Sequence, residues 1–159
     1  MAPTAWGDLR VGPRLISARP IWPLLLIGAV LRLVNLNAPV LGVHSWRQAD
    51  TAAIARNAFE AGLPFWLPQV DWGGASSGFA ETDPPLYSQS VAWLYGWFGV
   101  QEWLARGLSL LLSLIALWLL VRLGQQLVGT EAGWWGGLLF AVLPLSVFYG
   151  RSIQPESLL

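Results

Sequence analysis

The chain has 159 residues, of which 55% are hydrophobic and 11% are charged, and its formal net charge at pH 7 is zero. Roughly 25% of the residues of an average soluble domain are charged, so this composition, with a mean hydropathy of +0.52, predicts an integral membrane protein. Nothing in the charge balance suggests the basic patch that nucleic-acid binding needs, and no nucleic-acid partner is expected. Without cysteine, the chain cannot form a disulfide framework, a thiol nucleophile or a cysteine-ligated zinc site.

The first predicted element is a membrane-spanning helix over residues 21–41. This apolar run has about the length that a spanning helix needs, and residues 1–20 before it hold three arginines and one aspartate. Positive charge marks the cytoplasmic side of a span, so residues 1–20 are predicted to be cytoplasmic. No small-residue cleavage site follows a short apolar core, which indicates an uncleaved anchor.

Arg32 falls inside this predicted span, towards its outer end. A charged side chain within a membrane is costly enough to be a functional-site hypothesis, with a carboxylate as the expected partner. Alternatively, the guanidinium snorkels to the outer interface. The sequence leaves both interpretations open.

The most polar stretch of the chain follows, at 42–62, and reads GVHSWRQADTAAIARNAFEAG. Ser45 followed by Gln48 is a capping-box pattern, in which the Gln side chain reaches back to the helix start. Gly62 is a typical residue after a helix end. The pattern therefore predicts a helix over about 46–61, on the outer face of the membrane.

Asp50 is the main candidate for chemistry on this helix. Helical spacing places one carboxylate and one amide on a common face, whose members are Trp46, Asp50, Ala53 and Asn57. A lone acid beside a membrane is a candidate general base. The alternatives are a first-turn carboxylate that the helix dipole favours or an ion-pair partner of Arg47.

The remainder of the predicted outer loop extends to residue 103. Its Pro, Gly, Trp and Ser content is typical of loops, and Glu81 and Asp83 stand just before two prolines. Such a pair of acids can bind a divalent cation or a cationic group, or can be solvated loop charges. The run 84–100 is shorter than the roughly 20 residues of a span and rich in Trp and Tyr. It is therefore predicted to be a helix lying in the outer interface.

Two further crossings are predicted, at 104–123 and 134–149, joined by a cytoplasmic loop at 124–133. The predicted fold is thus all-α and integral to the membrane, with three transmembrane helices and two juxtamembrane helices on the outer face. With three crossings, the segment 150–159 begins a second outer loop on the same side as Asp50. A site built from both outer segments is then expected.

Several soluble-enzyme chemistries have no matching pattern here. The only histidine, His44, cannot make a histidine-rich metal site. No nucleophile elbow, phosphate-binding P-loop or dinucleotide fingerprint occurs.

Four segments in order carry a family resemblance: WRQADTAAIARN, TDPPLYSQSVAWLYGWFG, EWLARGLSLLLSLIALWLLVRLGQQLVG and PLSVFYGRSIQPESLL. Together they resemble the N-terminal portion of polytopic GT-C fold glycosyltransferases, over about residues 31–159. The most similar group contains the protein mannosyltransferases of glycosyltransferase family 39 and the bacterial aminoarabinose transferases of lipid A. The resemblance implies a multi-pass enzyme of the cell (inner) membrane with its active face outside. It would transfer a sugar from a polyprenyl-phosphate donor to a lipid, polysaccharide or protein acceptor.

The resemblance also implies roles for particular residues. The family commonly has an acidic pair after its first span, and this chain has one acid there, Asp50, as the catalytic candidate. Glu81 and Asp83 match the neighbourhood of the donor phosphate or of a divalent metal, which is the one cofactor considered. Glu156 matches a second acid, and Arg151 a phosphate contact. Supporting roles are expected for Arg47, Asn57 and Arg32.

The relatives continue through many more helices, so the sequence predicts a truncated GT-C fold without independent activity. An alternative from another class is a non-catalytic membrane protein, either a transporter fragment or an assembly subunit. Transporters place ionisable residues within their spans near the midplane. Here the acids cluster in the predicted outer loops, which favours the enzyme.

Overall fold

The structure is a computed structural model that describes residues 19–40, 45–72, 74, 76–79 and 84–155. In these ranges the chain is helical, without a multi-residue strand. Its six helices are α1 (Trp22–Leu33), α2 (Ser45–Glu60), α3 (Leu86–Phe98), α4 (Glu102–Leu127), α5 (Thr130–Val142) and α6 (Pro144–Tyr149). The all-α prediction is therefore confirmed for the described part of the chain.

Helices α1, α4 and α5 pack together as a three-helix bundle. Its buried apolar residues are Ile21, Leu24, Leu117, Val121 and Ala141. Helix α4 has 26 residues, or about 39 Å at 1.5 Å per residue. It is the one described helix that is long and apolar enough to cross a membrane.

Helices α2 and α3 form a second layer beside the first half of α4. They run in the same direction, because Ser88 lies against Thr51 and Tyr95 lies against Phe59. The apolar residues buried between this layer, α4 and the end of the chain are Ala55, Tyr87, Val91, Tyr95, Leu104, Ala105 and Ile153. Helix α4 thus joins the two cores, with its first third in one and its second half in the other.

Helix α1 is shorter than the predicted 21–41 span. It ends at Leu33, and Asn35 has a left-handed backbone with φ of 63°, a conformation that Asn adopts more readily than most residues. Asn35, Asn37 and Pro39 are residue types that indicate the end of a helix in the sequence. The 12 helical residues measure about 18 Å.

The predicted loop at 124–133 is also mostly helix, since α4 continues to Leu127 and α5 begins at Thr130. Gly124 and Gly133 suggested a loop, but they provide close packing between the two helices. A Cβ on Gly124 would lie 2.8 Å from the Cα of Gly133. The actual turn is Val128 and Gly129, where Gly129 has φ of 142°.

The predicted crossing at 134–149 is divided into α5 and α6. The break falls at Leu143, with φ of −58° and ψ of 125°, directly before Pro144. Proline has no amide hydrogen and cannot continue the hydrogen-bond ladder of the preceding helix.

By contrast, the observed bounds of α2 lie within one residue of the predicted 46–61 at each end.

Candidate functional site

Asp50 lies in the second turn of α2 and is half-buried. In the described part of the chain, no hydrogen bond or ion pair engages its carboxylate, and none joins it to Arg47. The first turn of α2 holds no acidic residue, so neither alternative suggested by the sequence accounts for Asp50. The members of the predicted face differ in their exposure to solvent, since Asp50 is half-buried and Trp46 is 65% exposed.

Asn57, the other polar member of that face, is held by the segment that follows α2. Its Nδ2 donates to Asp71 Oδ1 at 2.8 Å and to the carbonyl of Gln69 at 3.0 Å. Arg56 pairs with the same Asp71 carboxylate. The hydrogen bond from Asn57, and then the contact with Arg56, hold the pKa of Asp71 below its ordinary value. Asn57 therefore fixes a loop, a role that the sequence did not suggest.

That loop folds back on itself. Gln69 and Phe79 form an isolated antiparallel bridge, and the amide of Val70 donates to the carbonyl of Gly78 at 2.9 Å. Gly78 has φ of 69°, and a Cβ on it would lie 2.6 Å from the Val70 oxygen. The folded loop is thus anchored to α2 through Asp71.

The segment after α6 packs directly on α2. The amide of Ile153 donates to Oε1 of Gln48 at 3.3 Å, and both residues are buried. The sequence assigned Gln48 to the capping of its own helix, whereas this oxygen makes a contact 105 residues away. Arg151, the predicted phosphate contact, is half-exposed and donates to the carbonyl of Val34.

A buried set of hydroxyl groups joins α3, α4 and the same segment. The Tyr87 hydroxyl lies 2.7 Å from both the Ala105 carbonyl and Ser109 Oγ, and Ser109 Oγ donates to the carbonyl of Ser152 at 2.6 Å. Burial raises the pKa of Tyr87, so its hydroxyl stays protonated. Single Ser and Tyr residues in apolar runs gave no sign of this network.

Arg32 is fully buried, with an exposed fraction of 0%, so it does not snorkel to an interface. Its five N–H groups donate to five neutral oxygens, in agreement with the capacity of a guanidinium. These acceptors are Ser113 Oγ, Ser146 Oγ and the carbonyls of Gly28, Phe140 and Ala141. No carboxylate is among them, so the expected carboxylate partner was also wrong.

Arg106 has a comparable role that the sequence reading missed. It is buried on α4, and it donates to the carbonyl of Asn35 at 3.0 Å and to that of Pro39 at 3.3 Å. Three carbonyls in the turn that follows α1 are thus bound by arginines, that of Val34 by Arg151 and those of Asn35 and Pro39 by Arg106. The two arginines position the chain between α1 and α2.

A groove of about 700 Å³ lies between α2 and α3. Its lining is mostly apolar and aromatic and includes Phe59, Ala92, Trp93, Trp97 and Leu108, with Gln89 and Ser90 as polar members. Trp93 and Trp97 are 70% and 85% exposed, on the face of α3 opposite the buried Tyr95.

Several predicted site residues, Glu81, Asp83 and Glu156, lie outside the described residues, as does His44. In the described ranges, no three Asp, Glu, His or Cys side chains come together in a group that could hold a metal ion. Of the remaining candidates, the structure brings the segment of Arg151 to the helix of Asp50, and it assigns Arg32 and Asn57 to structural contacts.

The described residues thus form an all-helical chain in which one helix is long and apolar enough to cross a membrane. Comparison with protein-family models, with curated proteins and with solved structures found no match to this chain.

Proposed function

We propose that the chain is part of the machinery of a GT-C type membrane glycosyltransferase, which transfers a sugar from a polyprenyl-phosphate donor to an acceptor hydroxyl or phosphate outside the cell membrane. One observation carries the proposal: the hydrogen bond from Ile153 to Gln48. Ile153 follows the third proposed span, and Gln48 lies two residues from Asp50. The contact brings together the two outer segments to which the family resemblance assigns the chemistry.

The proposed membrane topology takes α1, α4 and the α5–α6 pair as the three spans. Exposed apolar side chains on the bundle support it, among them Leu26, Val30, Leu111, Ile115, Leu119, Leu139 and Leu145. An apolar surface of this kind is costly in water and suits a lipid environment. Helix α1 alone is shorter than the roughly 30 Å hydrocarbon core, so the residues that flank it complete the crossing.

In the proposed reaction, an acceptor oxygen attacks the anomeric carbon of the sugar, and the bond to the carrier phosphate breaks. Asp50 takes the proton of the acceptor, because its carboxylate is half-exposed and has no partner among the described residues. Arg151 stabilises the departing polyprenyl phosphate by a charge-assisted hydrogen bond. Part of the polyprenyl chain is proposed to bind in the apolar groove between α2 and α3.

The first experiment measures transfer of a radiolabelled sugar from a polyprenyl-phosphate donor, in membranes of cells that produce the chain in its native context. We expect Asp50→Asn to lower transfer by at least the 10²-fold typical of a lost general base. Asp71→Asn is the matched control, because that aspartate is already paired with Arg56 and Asn57. Transfer by Asp50→Asn at the rate of the unmodified chain would remove Asp50 from the mechanism.

Binding to the purified chain separates the enzyme from the non-catalytic alternative. We expect a polyprenyl-phosphate sugar to bind in preference to phosphatidylglycerol, and Arg151→Gln to weaken this preference. Equal binding of both lipids would contradict the proposal. A transporter is expected to keep an ionisable group available within a span, whereas the N–H groups of Arg32 are all used by the bundle itself.

A further inference from the structure

The break between α5 and α6 leaves backbone carbonyls without helical donors. Pro144 has no amide hydrogen for the carbonyl of Phe140, and the turn at Leu143 takes the next amides away from Ala141. An unpaired carbonyl inside an apolar bundle costs free energy. A donor from elsewhere in the chain is therefore needed at this point.

Arg32 of α1 is that donor. Its Nη1 lies 3.1 Å from the Ala141 oxygen, and its Nη2 lies 3.3 Å from the Phe140 oxygen. These carbonyls form the C-terminal end of α5, where the helix dipole favours a positive charge. The guanidinium also lies over the Phe140 ring, 5.6 Å from its centroid.

The same side chain holds the part of the chain beyond the break. Nη2 donates to Ser146 Oγ of α6 at 2.8 Å, while Nε donates to Ser113 Oγ of α4 at 2.9 Å. Gly150 lies against the guanidinium so closely that a Cβ on it would be 2.5 Å from Arg32 Nε. Arg32 therefore connects α1 and α4 to both sides of the break.

We propose that Leu143 and Pro144 form a hinge, and that Arg32 holds the chain beyond it, residues 144–155, in the docked position on α2. Docking of this segment consists of the Ile153 to Gln48 hydrogen bond, the Ser109 to Ser152 hydrogen bond and burial of Ile153. Without Arg32 the segment undocks, while the layer formed by α2 and α3 stays packed on α4. This inference does not depend on sugar transfer.

If the proposed function also holds, Arg32 is a positioning residue. Its hydrogen bonds go to neither Asp50 nor Arg151, and it acts by keeping the segment of Arg151 on the helix of Asp50.

The test uses the absence of cysteine from the chain. Two reporters, Ile153→Cys and Val91→Cys, each introduce one thiol at a position that is buried in the structure. Modification by N-ethylmaleimide in detergent is timed for each reporter, with and without Arg32→Met. We expect Arg32→Met to speed modification at position 153 by about tenfold or more, because it removes charge-assisted hydrogen bonds, and to leave position 91 unchanged.

Two further variants keep the test specific. Arg122→Met removes an arginine of α4, whose guanidinium lies over the Trp118 ring at 5.9 Å, and should change neither reporter. Gly150→Ala keeps Arg32 but places a methyl group against the hydrogen-bonded pair of Arg32 Nε and Ser113 Oγ, 2.5 Å from each, and should speed modification at position 153 alone. Gly150→Ala also serves if Arg32→Met does not fold.

Two outcomes would overturn the proposal. If position 153 stays protected in Arg32→Met and Gly150→Ala, Arg32 does not hold the segment. If positions 91 and 153 become reactive together, Arg32 supports the whole fold and no hinge exists at Pro144.

Discussion

Two aspartates near α2 show how strongly the surroundings of a single residue decide its role. Asp71 is held by Asn57 and Arg56, and its pKa is lowered. Asp50, on the same helix as those two partners, makes no hydrogen bond or ion pair within the described residues. The paired carboxylate suits a structural contact, and the unpaired one is available for chemistry.

The Asp71 contact predicts a pH dependence of the folded loop. Because the folded pKa of Asp71 is below its unfolded value of about 3.9, the contact stabilises the loop above that value and is lost as pH falls through the folded pKa. We expect the Val70 amide to lose hydrogen-exchange protection over this acidic range, after correction for intrinsic exchange. Asp71→Asn should show weak protection at every pH, and an unchanged acid profile in that variant would assign the effect elsewhere.

Tyr87 gives a second prediction at the scale of one residue. Tyr87→Phe removes a buried hydroxyl from the Ala105 carbonyl and Ser109, so we expect a loss of about 1 to 3 kcal/mol in the free energy of unfolding. Ser90→Ala is the control, because the Ser90 hydroxyl is exposed and bonds only the carbonyl of Leu86 in its own helix. Denaturant unfolding in mild detergent measures both, and equal effects would contradict a special role for Tyr87.

The glycines of helix α5 differ in their packing, because some face α4 and one faces open space. Gly133 and Gly137 are buried, four residues apart, and face α4. A Cβ on Gly133 would lie 2.4 Å from the backbone nitrogen of Gln125, and one on Gly137 would lie 2.2 Å from Val121 Cγ2. Small residues at this spacing let helices approach closely in membranes.

Gly136 provides the matched control for this packing, since a Cβ there would meet nothing within 4 Å. Gly133→Ala should destabilise the bundle by about 1 to 3 kcal/mol through overpacking. Gly136→Ala should be neutral or stabilising by up to about 1 kcal/mol, because alanine favours the helix. Thermal or denaturant unfolding measures the stability of the two variants, and a loss of equal size at Gly136 would show that close packing against α4 is not the deciding difference.

At the scale of the whole molecule, the arrangement of two cores along α4 predicts a topology. The layer of α2 and α3 and the segment 150–155 lie at one end of the bundle, and the turn between α4 and α5 lies at the other. At that second end Arg19 pairs with Glu131 at 2.8 Å and lies over Trp134. The first end is proposed to face outward and the second to face the cytoplasm.

Single cysteines and an impermeant thiol reagent test this topology in intact cells. Asp50→Cys and Gln101→Cys should label from outside, as should Glu156→Cys. Glu131→Cys should label only after the membrane is opened. Protection of positions 101 and 156 together with labelling at position 50 would mean that α3 spans, and the shared outer site would then be lost.

The elements that the sequence predicted best are those whose ends carry local signals. Helix α2 lies between Ser45 and Gly62, and its observed ends are within one residue of the prediction. Helix α1 was predicted too long, because apolar content outweighed Asn35 and Pro39. The prediction of a loop at 124–133 was wrong, because a glycine in a turn and a glycine in a contact between helices cannot be told apart in the sequence.

The sequence by itself determined the all-α class of the described residues and, among its three predicted spans, the long apolar helix at 104–123, since composition and hydrophobic length are properties of neighbouring residues. Only the tertiary structure decided what the arginines do. Arg32 bonds residues 81 and 114 positions away, and Arg106 binds carbonyls of the turn that follows the end of α1 at Leu33. Such contacts depend on which backbone groups lack a partner after the helices have packed, and no local pattern records that.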